Sequence, residues 1–135
     1  DGVIPRTRLP EILRQVSQIG QKYSLKIANV FHAGDGNLHP IILFDERDPD
    51  ERHRVLKAGE EILRACAAVG GSITGEHGIG VEKIDLMPLI FTPEDLAAMA
   101  DLKRVFNPDD LCNPGKIFPT SKSCVEVGLR RRAAV

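Results

Sequence analysis

The sequence predicts an α+β fold in which helices pack on an antiparallel sheet. Two short, apolar, β-rich segments, KIANVFHA at 26–33 and LHPIILF at 38–44, flank an Asp-Gly pair and indicate a hairpin. Two longer segments, residues 9–23 and 49–69, carry apolar side chains at helical spacing on either side of this hairpin. Helices and strands in this order are typical of an α+β domain.

The first helix is predicted over residues 9–23. Its apolar side chains recur at helical spacing, and Pro10 is compatible with a first helical turn. They are Leu9, Ile12, Leu13, Val16, Ile19 and Tyr23. The second helix is predicted to begin after Asp48, a residue type suited to capping, with Pro49 in its first turn. The glycine pair at 70–71 is expected to end it.

The C-terminal half is predicted to hold one further helix. Thr92, Pro93 and Asp95 form a helix-start signal, and the helix is expected to run to about Phe106, before an Asn-Pro pair. The glycine-rich segment GGSITGEHGIGVEK at 70–83 is too irregular for a helix and is predicted as a short strand and a loop. The segment LCNPGKIFP is expected to be extended and rich in turns.

Length and charge narrow the class of protein. With 135 residues and 14.8 kDa, the chain is long enough for one domain with a hydrophobic core. Its 18 Lys and Arg residues balance 19 Asp and Glu residues, which argues against nucleic-acid binding. The basic cluster at 130–132 is predicted to be a solvated tail. No apolar segment approaches the ~20 residues of a membrane span and no signal peptide is present, so a soluble cytoplasmic protein is expected.

The cysteines and one histidine are expected to have no catalytic role. Cys66, Cys112 and Cys124 are widely spaced and form no C-x-x-C pair, which favours reduced, structural thiols. His53 lies in the charged segment ERHRVL and is expected at the surface of the second helix.

Two histidines flank the predicted hairpin turn, in the segment FHAGDGNLH. If Asp35 and Gly36 are the central residues of a type I′ turn, His32 lies directly opposite His39. Opposed side chains share a face with Cβ atoms ~4.5–5.5 Å apart, close enough for both imidazoles to bind one metal ion. An ordinary Asp-Gly turn flanked by two histidines by chance remains the alternative.

The glycine-rich segment adds a carboxylate and a third imidazole. Glu76 and His77 lie among five glycines, a density that allows the backbone to pass close to a ligand. Glu76 with His32 and His39 would make a two-histidine, one-glutamate set that leaves positions open on the ion, as a catalytic site requires. His77 would then be an unligated imidazole placed as a general base. The alternative is a flexible loop with a solvated Glu-His pair.

Three motifs, HAGDGNLHP, GGSITGEHGIGVEK and LCNPGKIFP, resemble in order and separation the C-terminal part of a known family. This family is the FAD-linked 2-hydroxy-acid oxidases and dehydrogenases of the vanillyl-alcohol oxidase type, which includes the glycolate oxidase flavoprotein subunit. The resemblance extends from Ile4 to Cys124.

The resemblance implies roles for five residues. In the family, the corresponding two histidines and glutamate bind a divalent metal, which implies that His32, His39 and Glu76 do so here. His77 is the implied catalytic base, and Asn113 of the Asn-Pro-Gly segment is implied to contact FAD. Without the family, a simple turn at 113–115 is the better interpretation. Zinc is expected from the imidazole and carboxylate ligands, with manganese or iron as alternatives.

The resemblance also implies the domain organisation. Residues 1–124 are expected to form a truncated, ferredoxin-like cap (substrate) domain, with 125–135 as a basic C-terminal tail. The FAD-binding domain is expected to be absent from this chain, because no G-x-G-x-x-G fingerprint in a βαβ frame is present. Loss of that domain is expected to expose an apolar face, so self-association is expected. Further oxidase subunits, including an iron-sulfur subunit, are implied partners, with peripheral attachment to the inner membrane through them.

The expected activity is oxidation of a 2-hydroxy acid, of the glycolate or D-lactate type, to the 2-oxo acid, with hydride transfer to FAD. The chain alone is expected to be inactive. Pro40 and Ile41 follow the second histidine where relatives specific for diacids carry a polar residue, which argues against a 2-hydroxy diacid. A metal-dependent hydrolase and a structural metal-binding module are the alternatives. The first would be favoured by a helical H-E-x-x-H and the second by a closed four-ligand set, and neither pattern is evident.

Overall fold

Residues 1–119 are described in a computed structural model of the chain. The chain divides into two compact units, Asp1–Gly78 and a second unit that begins at Ile79. The predicted basic tail at 125–135 and Cys124 lie outside the described residues.

The first unit contains a three-stranded antiparallel sheet. Its strands are β1 (Gly2–Val3), β2 (Lys26–His32) and β3 (Asn37–Leu43), in the order β1-β3-β2. The predicted hairpin is therefore present as β2 and β3. The predicted short strand in 70–83 is reduced to a single bridge, in which Ser72 pairs with Val3.

Two helices pack on one face of this sheet, and both follow the sequence prediction. They are α1 (Leu9–Lys22) and α2 (Pro49–Ala68). The side chain of Asp48 accepts hydrogen bonds from the backbone N–H groups of the first turn of α2, as its residue type predicts. The core between helices and sheet consists of Ile4, Ile12, Val16, Ile19, Leu25, Leu38, Ala58, Ile62 and Cys66. The fold class is α+β, as predicted.

The other face of the hairpin carries no helix of the first unit. Because side chains alternate along a strand, β2 and β3 direct one set towards the core, including Leu38, and the other set away from it. In this second set, Val30, Ile41 and Leu43 remain about half exposed. An apolar sheet face is therefore left open within the first unit.

The second unit contains one α-helix, α3 (Pro93–Phe106), and a short 3-10 helix at Ile84–Leu89 in its described part. Thr92 and Asp95 form a reciprocal capping box at the start of α3, which confirms the predicted start. The segment that follows α3 is rich in turns and bends, as predicted, but no strand is present among its described residues. Among residues 1–119, no helix is both long enough and apolar enough to cross a membrane.

Candidate metal centre

The hairpin register differs from the predicted one. His39 pairs with Val30, and His32 pairs with Asn37, so the prediction that His32 lies directly opposite His39 is wrong. The loop contains the four residues 33–36, because the backbone N–H groups of both Asp35 and Gly36 donate to the carbonyl oxygen of His32. A two-residue Asp-Gly turn does not form.

The two histidines nevertheless share one face of the sheet. The pairing is shifted by two residues, and side chains alternate with a period of two, so the shift changes the partner but not the face. His32 and His39 are diagonal neighbours whose ring centroids lie 5.3 Å apart at an interplanar angle of 89°. Both project from the face that the helices leave open.

Glu76 joins the two histidines from the glycine-rich segment. Its Oε1 atom lies 2.9 Å from His39 Nε2 and 3.7 Å from His32 Nε2. One ligand atom from each of the three residues lies within 4.8 Å of the others. The side chain of His39 is mostly buried, whereas those of His32 and Glu76 are about half exposed. The cluster is thus anchored in the sheet on one side and open on the other.

The donor set fits a divalent cation. His39 Nε2 is buried and makes no hydrogen bond with the described residues, although Glu76 Oε1 is only 2.9 Å away. The two atoms are close but are not aligned as donor and acceptor. Imidazole nitrogens and a carboxylate oxygen that converge in this way form the ligand set that zinc and related metals prefer. Three protein ligands leave further coordination positions free.

His77 lies beside this cluster without belonging to it. Its ring centroid is 5.0 Å from that of His39, and its Nε2 is 3.7 Å from Glu76 Oε1. Adjacent side chains on an extended strand would point to opposite sides. The backbone at 74–78 is bent instead, and Gly78 has a φ of +80°. The bend turns Glu76 and His77 towards the same histidine.

The loop can pass close to the sheet because residue 75 is a glycine. A Cβ atom on Gly75 would lie 2.6 Å from Asn37 Oδ1 and 2.8 Å from Val3 Cγ2, closer than real contacts allow. Asn37 is only 6% exposed, and its Oδ1 has no hydrogen-bond partner among residues 1–119. Sequence reasoning missed Asn37. The signal that could have indicated this position is a polar residue at the start of an otherwise apolar strand.

Asn113 belongs to the second unit. Its φ of +48° lies in the left-handed region, and its carbonyl oxygen accepts a hydrogen bond from Lys103 Nζ at 3.3 Å. Cys112, the residue before Asn113, is fixed by Asn107, whose side-chain amide exchanges two hydrogen bonds with the Cys112 backbone. The side chain of Asn113 is exposed, so contact with FAD stays a prediction.

Two imidazoles and a carboxylate on an open sheet face, with a third imidazole beside them, define a candidate metal site of the catalytic type. The sequence matches the family described as "FAD linked oxidases, C-terminal domain" over residues 1–117. The chain belongs to this family, which confirms the predicted resemblance.

Individual curated proteins are also similar to the chain in sequence. The chain is 50% identical over 128 residues to glycolate oxidase subunit GlcD of Escherichia coli strain K12, covering 95% of the chain and 26% of that protein. It is 40% identical over 118 residues to the subunit of the same name in Bacillus subtilis strain 168, covering 87% and 25%. It is 30% identical over 119 residues to the mitochondrial D-lactate dehydrogenase (cytochrome) of Arabidopsis thaliana, covering 88% and 21%. The chain spans about a quarter of the length of these relatives.

Proposed function

We propose that the chain is the substrate- and metal-binding part of a flavin-dependent enzyme that oxidises a 2-hydroxy acid to the 2-oxo acid. The observation that carries this proposal is the convergence of His32, His39 and Glu76, with His77 beside them. Family membership supports the link to FAD. The relatives support the substrate class, since they are named for glycolate and D-lactate, which are both 2-hydroxy acids.

His32, His39 and Glu76 would hold the metal ion, with zinc as first choice and manganese or iron as alternatives. A divalent cation bound there supplies a positive charge that orients the substrate carboxylate and lowers the pKa of the substrate hydroxyl group. The three residues would hold the cation on the open face of the sheet. The sheet fixes His32 and His39, while Glu76 comes from a loop.

His77 would accept the proton of the substrate hydroxyl. Its imidazole is about 60% exposed, so a substrate on the open face can reach it, and it is not one of the three clustered ligand residues. Loss of this proton must accompany loss of a hydride from C2 for the alcohol to become a carbonyl group. FAD, when bound, supplies the acceptor for that hydride.

The open face also favours a small monocarboxylic acid as substrate. Ile41 lies two residues beyond His39 on the same face and is 48% exposed. A second carboxylate placed near Ile41 would lose hydration without gaining a polar partner from that side chain.

The exposed apolar side chains on this face, including Val30, would be covered by an FAD-binding domain. The word "subunit" in the names of two relatives supports further subunits as partners.

The full-length flavoenzyme provides the test of this proposal. After removal of metal with a chelator, anaerobic addition of glycolate or D-lactate should leave the flavin oxidised, although FAD is still bound. Addition of zinc or manganese should restore flavin bleaching, and D-malate, a 2-hydroxy diacid, should bleach it poorly. Bleaching at an unchanged rate in metal-free protein would show that a metal ion held by His32, His39 and Glu76 has no part in the reaction.

A further inference from the structure

The carboxylate of Asp1 lies beneath the loop that carries Glu76 and His77. Its side chain is fully buried, with 0% exposure. One oxygen, Oδ2, accepts the backbone N–H groups of Gly75 at 2.8 Å, Glu76 at 2.7 Å and His77 at 3.1 Å. Successive N–H groups that converge on one anion form a nest, which fixes the conformation of the backbone around it.

Thr74 connects the same carboxylate to the end of the loop. Its hydroxyl group donates to the Asp1 carboxylate, 3.1 Å from Oδ1 and 3.3 Å from Oδ2. The same hydroxyl oxygen accepts the backbone N–H of Gly78 at 3.0 Å. Four consecutive backbone N–H groups, at 75–78, are therefore satisfied by the side chains of two residues.

Asp1 is itself held in place by the sheet. The next two residues, Gly2 and Val3, form β1 and pair with β3 at Leu38 and Asn37. Val3 also exchanges two backbone hydrogen bonds with Ser72, at 2.9 and 2.8 Å. The strand thus joins β3, which carries His39, to the segment that leads into the loop.

We propose that Asp1 is a positioning residue, which holds the 74–78 loop in the bend that turns Glu76 and His77 towards His39. This inference rests on the proposed function of Glu76 and His77, because positioning matters only if they bind metal and move a proton. Asp1 acts through the backbone of the loop and not by contact with the substrate.

The test uses the 135-residue chain and three variants. Asp1→Ala removes the acceptor, Asp1→Asn keeps an oxygen but removes the charge, and Asp50→Ala removes an exposed carboxylate from α2 as a matched control. Amide hydrogen exchange should rise about 10-fold or more at Gly75, Glu76 and His77 in Asp1→Ala, while α1 amides stay protected. Asp1→Asn should give an intermediate effect, and it replaces Asp1→Ala if the latter does not fold.

Two further readouts separate positioning from simple support of the fold. The affinity for Co²⁺ should fall about 10- to 100-fold in Asp1→Ala, as for the loss of a group that orients a metal ligand, and the Co²⁺ absorption spectrum should change. The nuclear Overhauser effect between the rings of His77 and His39 should be lost. The control should match the wild type in every measurement.

The possible outcomes distinguish this inference from the proposed function. Unchanged amide exchange at 75–77 in Asp1→Ala would overturn the inference. The inference would also be overturned if amide exchange rose at 75–77 while the contact between the His77 and His39 rings and the affinity for Co²⁺ stayed unchanged. Asp1 would then only support the fold. If the wild type binds no metal, the proposed metal site fails, and the exchange data and the ring contact still decide the role of Asp1.

Discussion

His39 Nε2 lies 2.9 Å from Glu76 Oε1, although one residue belongs to a strand and the other to a distant loop. This contact brings the loop to the sheet and completes the cluster with His32. Neither atom is aligned for a hydrogen bond with the other. The divalent cation proposed above would lie between them and account for their approach.

The first prediction concerns metal affinity. His39→Ala and Glu76→Gln should each lower the affinity of the chain for Zn²⁺ by at least about 100-fold, because loss of a direct ligand should cost no less than loss of its supporting partner. Isothermal titration with Zn²⁺ measures the change. His53→Ala, which alters an exposed histidine on α2, is the matched control and should bind like the wild type. Equal affinity in all four proteins would exclude this metal site.

The second prediction concerns the close approach of the loop to β3. Gly75→Ala should destabilise the first unit by about 1–3 kcal/mol, because its Cβ would collide with Asn37 Oδ1. Gly34→Ala is the matched control, since a Cβ on Gly34 would have no atom within 4 Å. Urea unfolding of both variants gives the comparison. A Gly75→Ala variant as stable as Gly34→Ala would mean that the loop does not pack against Asn37 in solution.

The third prediction concerns the pH dependence of stability. Lys22 Nζ and the Tyr23 hydroxyl both donate to Glu61 Oε2, at 2.7 and 2.9 Å. The hydrogen bond from Lys22, followed by that from Tyr23, holds the pKa of the Glu61 carboxyl below its ordinary value. A carboxyl with a lowered folded-state pKa contributes stability above its unfolded pKa of about 4.3, and this contribution is lost as the pH falls through the folded value.

Glu61→Gln should therefore lower Tm at neutral pH, and the difference from the wild type should shrink as the pH falls below about 4. The effect should be small, because the groups are exposed to solvent. Thermal unfolding between neutral and acidic pH measures it, with Glu46→Gln as a control at another exposed glutamate. A difference in Tm that is constant over this range would rule out the pair as its source.

The fourth prediction concerns the open sheet face. The exposed apolar side chains of Val30, Ile41 and Leu43 should drive self-association of the chain. The double variant Val30→Ser and Ile41→Ser should reduce association in analytical ultracentrifugation. Leu56→Ser, at an exposed leucine of α2, is the control and should associate like the wild type. A wild-type chain that stays monomeric at high concentration would contradict this prediction.

Helix positions and the location of the hairpin could be predicted from the sequence because their signals are local. The capping side chains of Asp48 and Thr92 lie at the helix starts, as their residue types indicate. The register could not be predicted, because Gly36 also meets a distant segment, where its carbonyl oxygen accepts the N–H of Ile4. The prediction that His32 and His39 share one face of the sheet is nevertheless correct, because the observed register differs from the predicted one by two residues.

The composition of the site was only partly predictable. His32 and His39 lie in one hairpin, so spacing and strand alternation suffice to place them on one face. Glu76 could be proposed from its glycine-rich surroundings and from the family resemblance, but its approach to the two histidines depends on a loop whose path is set by tertiary contacts. Asp1 has no local signal, because its hydrogen bonds join residues that are far apart in the chain.

We propose above all that His77 accepts the proton of the substrate hydroxyl group while His32, His39 and Glu76 hold the metal ion. The most direct test of this claim is stopped-flow flavin reduction by glycolate or D-lactate in full-length His77→Ala enzyme, with metal and FAD content measured on the same sample. We predict full metal and FAD content and a rate about 10²- to 10⁴-fold below the wild type, as expected for a lost general base. Flavin reduction by His77→Ala at the wild-type rate would contradict the claim.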